Sequence, residues 1–171
     1  HAGACVAEPT EQEAADLLEM RGLLEPLGAS RAAQRRTEAH LKVLRGLVRL
    51  GQERAKRGNS DDLRSLGSWF HETLAQSTGS PALTSILAQL RHKIAWMYAV
   101  EAPADPVESW TEHGAIVDAV ARGDGERARA ITALHTERSL AAHRLRFGTG
   151  GERADRVRNS QHPVNMPSLR H

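Results

Sequence analysis

The stretch Trp110–His135, WTEHGAIVDAVARGDGERARAITALH, constrains the fold of this chain more than any other. Two helical patterns meet in it at Gly123-Asp124-Gly125, a tight polar break. A glycine just past a helix end supplies a left-handed cap, and Asp124 is a good N-cap for the helix that follows. The segment therefore reads as an antiparallel helical hairpin. His113 lies eleven residues before Asp124 and His135 eleven after it, so the two should stand level. At 1.5 Å rise per residue that level is roughly 16 Å from the turn, deep within the pair. His113 shares a stripe with Trp110, Val117 and Val120, and His135 shares a face with Ile131 and Arg138. Both are expected to point inward. Two level, inward imidazoles make a candidate metal or anion site, although a hydrogen-bonded core histidine is the commoner role for each alone.

The remaining segments supply helices to complete such a hairpin. Thr10 followed by Glu13 is a capping box, and Ala14, Leu17, Leu18, Arg21 and Leu24 follow at helical spacing. Pro26 is expected to kink or interrupt this helix, with helix resuming through Ser30–Arg36. Thr37 caps a second helix carrying Leu41, Leu44 and Val48, with Val43, Leu47 and Leu50 beside them. Ser60-Asp61-Asp62 opens a third, with Leu63, Leu66, Phe70 and Leu74 as its apolar stripe. Pro81 suits the first turn of a fourth, which runs through Leu83, Ile86, Leu87, Leu90, Ile94 and Met97. Glu101–Pro106 is a loop before the hairpin. The expected architecture is all-α, an antiparallel bundle of about six helices.

Composition agrees and excludes several classes. Only 4% of the 171 residues are aromatic while Leu, Ala and Arg are abundant, which favours helix over sheet. With 40% hydrophobic and 26% charged residues, the chain has a globular rather than a disordered composition. The single cysteine, Cys5, excludes an internal disulfide framework and suggests a reducing, cytoplasmic setting. No apolar run approaches the roughly 18 residues of a membrane span. A net charge of +2 is too small to argue nucleic-acid binding by itself. The opening His in place of Met suggests a piece of a longer protein. Residues 148–171 lack periodicity and read as a flexible basic tail, with Arg153, Arg156 and Arg158 near its start.

Three further residues bear on the site. His71 lies at the edge of the third helix's apolar stripe and is a third candidate ligand. Neutral imidazoles converging from several helices suit zinc, nickel or cobalt. Lys93 lies ten residues before the turn at Pro103 and His113 ten after it, so these two should also be level. Arg21, on the inward stripe of the first helix, must find an anion: either Glu25 or another acid of the chain, or a ligand. His40 and His92 have no partner at matching height and read as surface residues, like those nearer the termini.

The runs DLLEMRGLLEPLGASRAA (Asp16–Ala33), WFHETLAQSTGSPAL (Trp69–Leu83) and EHGAIVDAVARGDGERARAITALH (Glu112–His135) together resemble the FCD sensor domain of FadR-type GntR transcriptional regulators. The likeness covers roughly Thr10 to Leu145. The opening HAGACVAEPT is similar to the last wing strand and linker of the winged helix-turn-helix that precedes this domain in the family. The resemblance implies three units: residues 1–9 as the end of that wing and linker, 10–147 as an effector-binding and dimerisation domain, and 148–171 as the tail. It implies a homodimer that binds a small organic acid and shifts two DNA-reading heads on an operator, the heads lying outside this chain. It also implies a divalent metal, zinc or nickel, held by one Asp and three His. The His positions match His71, His113 and His135, but the Asp position is Gly67 here. The family's Asn after the turn glycine is Ser80. Arg21 and Lys93 are the candidates for the effector's negative charge.

Two other functions compete. One is a three-His metalloenzyme in which zinc activates a water. Against it, Glu112 points about 100° away from His113 around the helix and no other inward acid is in place as a general base. The other is a structural helical interaction module with no ligand at all.

Overall fold

The structure is a computed structural model that describes residues 10–58, 62–98 and 105–141. Six helices make up the described residues, without a strand among them: α1 (Glu11–Arg35), α2 (Glu38–Lys56), α3 (Leu63–Gln76), α4 (Pro81–Tyr98), α5 (Pro106–Arg122) and α6 (residues 125–141). The wing-like opening 1–9 and the tail 148–171 lie outside the described residues.

Local chemistry sets most helix ends. Thr10 Oγ1 accepts from the Glu13 N–H at 3.2 Å while the Thr10 N–H donates to Glu13 Oε2 at 2.8 Å, a complete capping box. At α2 the same box forms with His40 in the glutamate's place, its Nδ1 accepting from the Thr37 N–H. Asp105 and Asp124 cap α5 and α6 by accepting from the Glu108 and Arg127 N–H groups, each at 2.9 Å. Gly123, at φ 75°, closes α5 in the left-handed conformation that other residues rarely adopt. Ser80 Oγ accepts from the Leu83 N–H at 3.3 Å at the start of α4.

Pro26 does not interrupt α1. The helix runs unbroken for 25 residues. The proline forfeits one bond to the Gly22 carbonyl, but its ring is buried. The helix continues because α1 is packed along its length, and Ala29, Ala32 and Ala33 are fully buried where other helices approach closely. Tertiary burial outweighs the local penalty.

One core cluster joins these alanines to Leu41, Leu44 and Val48 of α2, Leu66, Phe70 and Leu74 of α3, and Trp110, Ile116 and Val120 of α5. A second, smaller cluster joins Leu18 of α1, Leu90 and Ile94 of α4, and Leu140 of α6. Buried or half-buried polar side chains accompany these apolar residues: Arg21 and Glu25 of α1, His71 of α3, Arg91 of α4, His113 of α5 and His135 of α6. These polar groups form the site.

Candidate metal and effector site

Three histidines converge there from three helices. His71 of α3, His113 of α5 and His135 of α6 each offer a ring nitrogen, and all three lie within 4.8 Å of one another. The His113 and His135 Nε2 atoms are 3.2 Å apart. Phe70 forms one wall, stacked on His113 at 4.1 Å between centroids and edge-on to His71 at 5.1 Å. Trp110 meets His113 edge-on at 4.7 Å and also packs against Phe70. Their packing leaves the rings little freedom to turn.

Burial also decides the charge of the rings. It holds His71 and His113 well below the ordinary histidine range, and the neighbouring Arg91 and the other imidazoles push the same way. His135 is lowered less, because its hydrogen bond to Glu112 opposes burial. All three are therefore neutral at pH 7, the form in which imidazole binds a metal.

This donor set fits a divalent ion. Nitrogens at about 2.0–2.1 Å from one tetrahedral zinc lie about 3.3 Å apart, close to the 3.2 Å between His113 and His135. His113 Nδ1, buried, has no hydrogen-bond partner among the described residues. Gly67, one turn before His71, brings no carboxylate, and a Cβ built there would meet nothing within 4 Å.

Charged groups lie beside the imidazoles. Glu25 of α1, only 6% exposed, holds Arg21 and Arg91 through its Oε1, each at 3.1 Å. Burial works against this carboxylate, yet Arg21 and Arg91 keep it below the usual range. Arg91 keeps 26% of its side chain exposed, and burial against Glu25's attraction brings it down to about 10, still protonated at pH 7. Arg21 also donates to Ser139 Oγ at 3.1 Å and so ties α1 to α6. Two arginines against one glutamate leave one positive charge in excess. A small cavity bordered by Glu25, His71, Leu87, Arg91, Ile116 and Thr132 opens beside this group, with room for about one water molecule.

The positions read from sequence thus separate. His71, His113 and His135 come together, and Arg21 is buried and paired with Glu25. Lys93 is exposed and does not border the cavity. Two residues along α4 is about 200° around the helix from Arg91, so the guanidinium faces inward and the ammonium outward. Arg91 was not among the sequence candidates, although Leu87, Leu90, Arg91 and Ile94 form an i, i+3, i+4, i+7 stripe. Arg21 was singled out by that same logic. The rotation of Glu112 away from His113 turns it toward α6, where its Oε2 lies 2.7 Å from His135 Nδ1.

The sequence profile of the FCD domain matches residues 16–138, and the chain belongs to that family. Among solved structures, Streptococcus agalactiae GntR is similar over 80% of this chain and 62% of its own length, with 25% identity and a TM-score of 0.70. E. coli McbR/YncC is similar in fold over 81% of this chain and 67% of its own length, with 18% identity and a TM-score of 0.69. The chain thus spans about two thirds of these proteins. Among curated protein sequences none matches. No helix among the described residues is long and apolar enough to cross a membrane.

Proposed function

We propose that this chain is the effector-sensing and dimerisation domain, residues 10–147, of a GntR-type transcriptional regulator, and that it takes a small carboxylate at a three-histidine metal centre. Membership of the FCD family and the likeness to S. agalactiae GntR support the regulatory reading. One observation carries the ligand class: three neutral imidazoles stand beside an arginine pair with one charge in excess. Operator DNA would be bound outside this domain, in keeping with the 62% of the S. agalactiae protein that the chain spans. Homodimerisation and a cytoplasmic location belong to the same reading.

His71, His113 and His135 would hold zinc or nickel, and the ion would offer a carboxylate oxygen a Lewis-acidic point. Arg91 orients the other end of the effector. In the free protein Arg91 is held by Glu25, so an effector carboxylate that claims Arg91 leaves Glu25 to Arg21. The exchange loosens an α1–α4 ion pair and retains one within α1. A ligand moves a conformational equilibrium only by its difference in affinity between two states, and this exchange supplies such a difference. We read the centre as non-catalytic, because Glu112, the carboxylate in contact with the imidazoles, is engaged by His135 and Arg138.

Calorimetric titration of mono-, di- and hydroxycarboxylates into zinc-loaded protein tests this. At least one should bind more tightly with zinc than without. Arg91→Gln should weaken it by about 1.5–3 kcal/mol, the range of a charge-assisted hydrogen bond. Lys93→Ala, at an exposed position, should leave it unchanged. Carboxylate binding indifferent to both zinc and Arg91 would overturn the proposal.

A further inference from the structure

His135 is held differently from the other two imidazoles. Its Nδ1 lies 2.7 Å from Glu112 Oε2, and the other oxygen, Oε1, accepts from Arg138 Nη1. Arg138 also donates to Glu108 Oε1 at 2.5 Å. Glu112 is half-buried, whereas Arg138 and Glu108 are exposed. These contacts run from α5 to α6 and end at the ring that faces His113.

The hydrogen bonds allow one consistent placement of protons. An ionised carboxylate only accepts, so His135 carries its proton on Nδ1 and donates it to Glu112. Its Nε2 is then a bare lone pair, which accepts from the Nε2–H of His113 at 3.2 Å. That leaves His113 Nδ1 as the lone pair without a partner among the described residues. Putting the His113 proton on Nδ1 would set two lone pairs face to face and strand a buried N–H, which is more costly.

We propose that Glu112 is a positioning residue for the metal: it holds His135 in the tautomer whose Nε2 presents a lone pair to the site, and it makes that nitrogen more basic. The inference rests on the three-histidine metal reading above. It also addresses the charge of the site. The candidate ligands among the described residues are all neutral imidazoles. Glu108, Glu112 and Arg138 together carry one negative charge, delivered to the site through the His135 ring. A carboxylate behind a ligating histidine fixes its tautomer and raises its donor strength.

The same contact also staples α5 to α6, so the test must separate support of the metal from support of the fold. Glu112→Gln keeps the shape and removes the charge. Arg138 can only donate, so it claims the amide oxygen and turns the amide NH2 toward His135 Nδ1. His135 must then accept at Nδ1 and carry its proton on Nε2, the nitrogen that faces the site.

The experiment uses the full chain stripped of metal. Zinc affinity is measured against a chromophoric chelator for wild type, Glu112→Gln and Glu108→Gln, and ring tautomers are read from long-range 15N–1H correlations. Glu112→Gln should weaken zinc by about 10–100-fold and move the His135 proton from Nδ1 to Nε2. Glu108→Gln keeps the Glu112–His135 contact, so it should leave the His135 tautomer unchanged and weaken zinc by less than Glu112→Gln does. An Nε2–H tautomer for wild-type His135, or equal zinc affinity in Glu112→Gln and wild type, would overturn the assignment while leaving the metal reading intact. A wild-type chain that binds no zinc would overturn both.

Discussion

Two glycines on one helix test how far core packing holds the site in shape. A Cβ added at Gly51 of α2 would lie under 3.0 Å from three ring carbons of Trp110. Trp110 is 1% exposed and packed edge-on against Phe70 and His113, so the ring has nowhere to retreat. Gly46, five residues earlier on the same helix, has nothing within 4 Å of a built Cβ. Replacing either by Ala gains about 0.5–1 kcal/mol of helix propensity. At Gly51 the overpacking should cost about 2–3 kcal/mol, because a rigid ring must move. Gly46→Ala is therefore expected to stabilise by about 0.5–1 kcal/mol, and Gly51→Ala to destabilise by about 1–2 kcal/mol. At about 3 °C per kcal/mol for a domain of this size, the two variants should melt roughly 5–9 °C apart. Because Trp110 abuts His113, Gly51→Ala should also weaken zinc, while Gly46→Ala should not. Thermal and urea melts of the pair check the first part and a zinc titration the second. Equal melting points for the two variants would refute the packing argument.

Further outcomes follow from the site's geometry. Gly67→Asp puts a carboxylate one turn before His71 in open space, and should tighten zinc by at least the ~10-fold that a supporting carboxylate is worth; an unchanged titration would mean that this face of α3 does not look into the site. Arg21→Gln removes a buried charge that holds Glu25 and Ser139, and should cost roughly 3 kcal/mol in urea melts; a loss under about 1 kcal/mol would show the pair to be incidental. The metal-free protein should be acid-labile. Burial lowers His71, His113 and His135 below 6.5, so below that pH the unfolded chain binds protons that the folded one refuses. Stability should be complete above about pH 6.5 and fall below it by up to about 1.4 kcal/mol per pH unit per histidine; a flat melting profile from about pH 7.5 to 5.5 would contradict the neutral-imidazole account.

What could be read from the sequence was whatever depends on counting along one helix or across one turn. Thr10, Thr37, Asp124 and Gly123 mark helix ends because capping chemistry is local. The meeting of His113 and His135 follows from equal distances to the Gly123 turn, since antiparallel helices share one rise per residue. Height alone misleads where rotation decides. Lys93 counts to the level of His113 and still faces solvent, while Arg91, two residues earlier, faces the cavity. Glu112 shows the same limit: its angle from His113 was legible, but its reach to α6 depends on how closely α5 and α6 pack. Pro26 shows the opposite conflict, a local breaker overruled by the burial of the α1 face.

The central claim is that His71, His113 and His135 form one metal centre. It is tested most directly by metal content and melting of chelator-stripped protein before and after zinc is restored, beside the three single His→Ala variants. The account predicts one zinc per chain, and a stabilisation of about 2.7–4.1 kcal/mol at 100–1,000 times the dissociation constant. Each His→Ala variant should lose it. Zinc uptake and melting that are the same in wild type and all three variants would contradict the account.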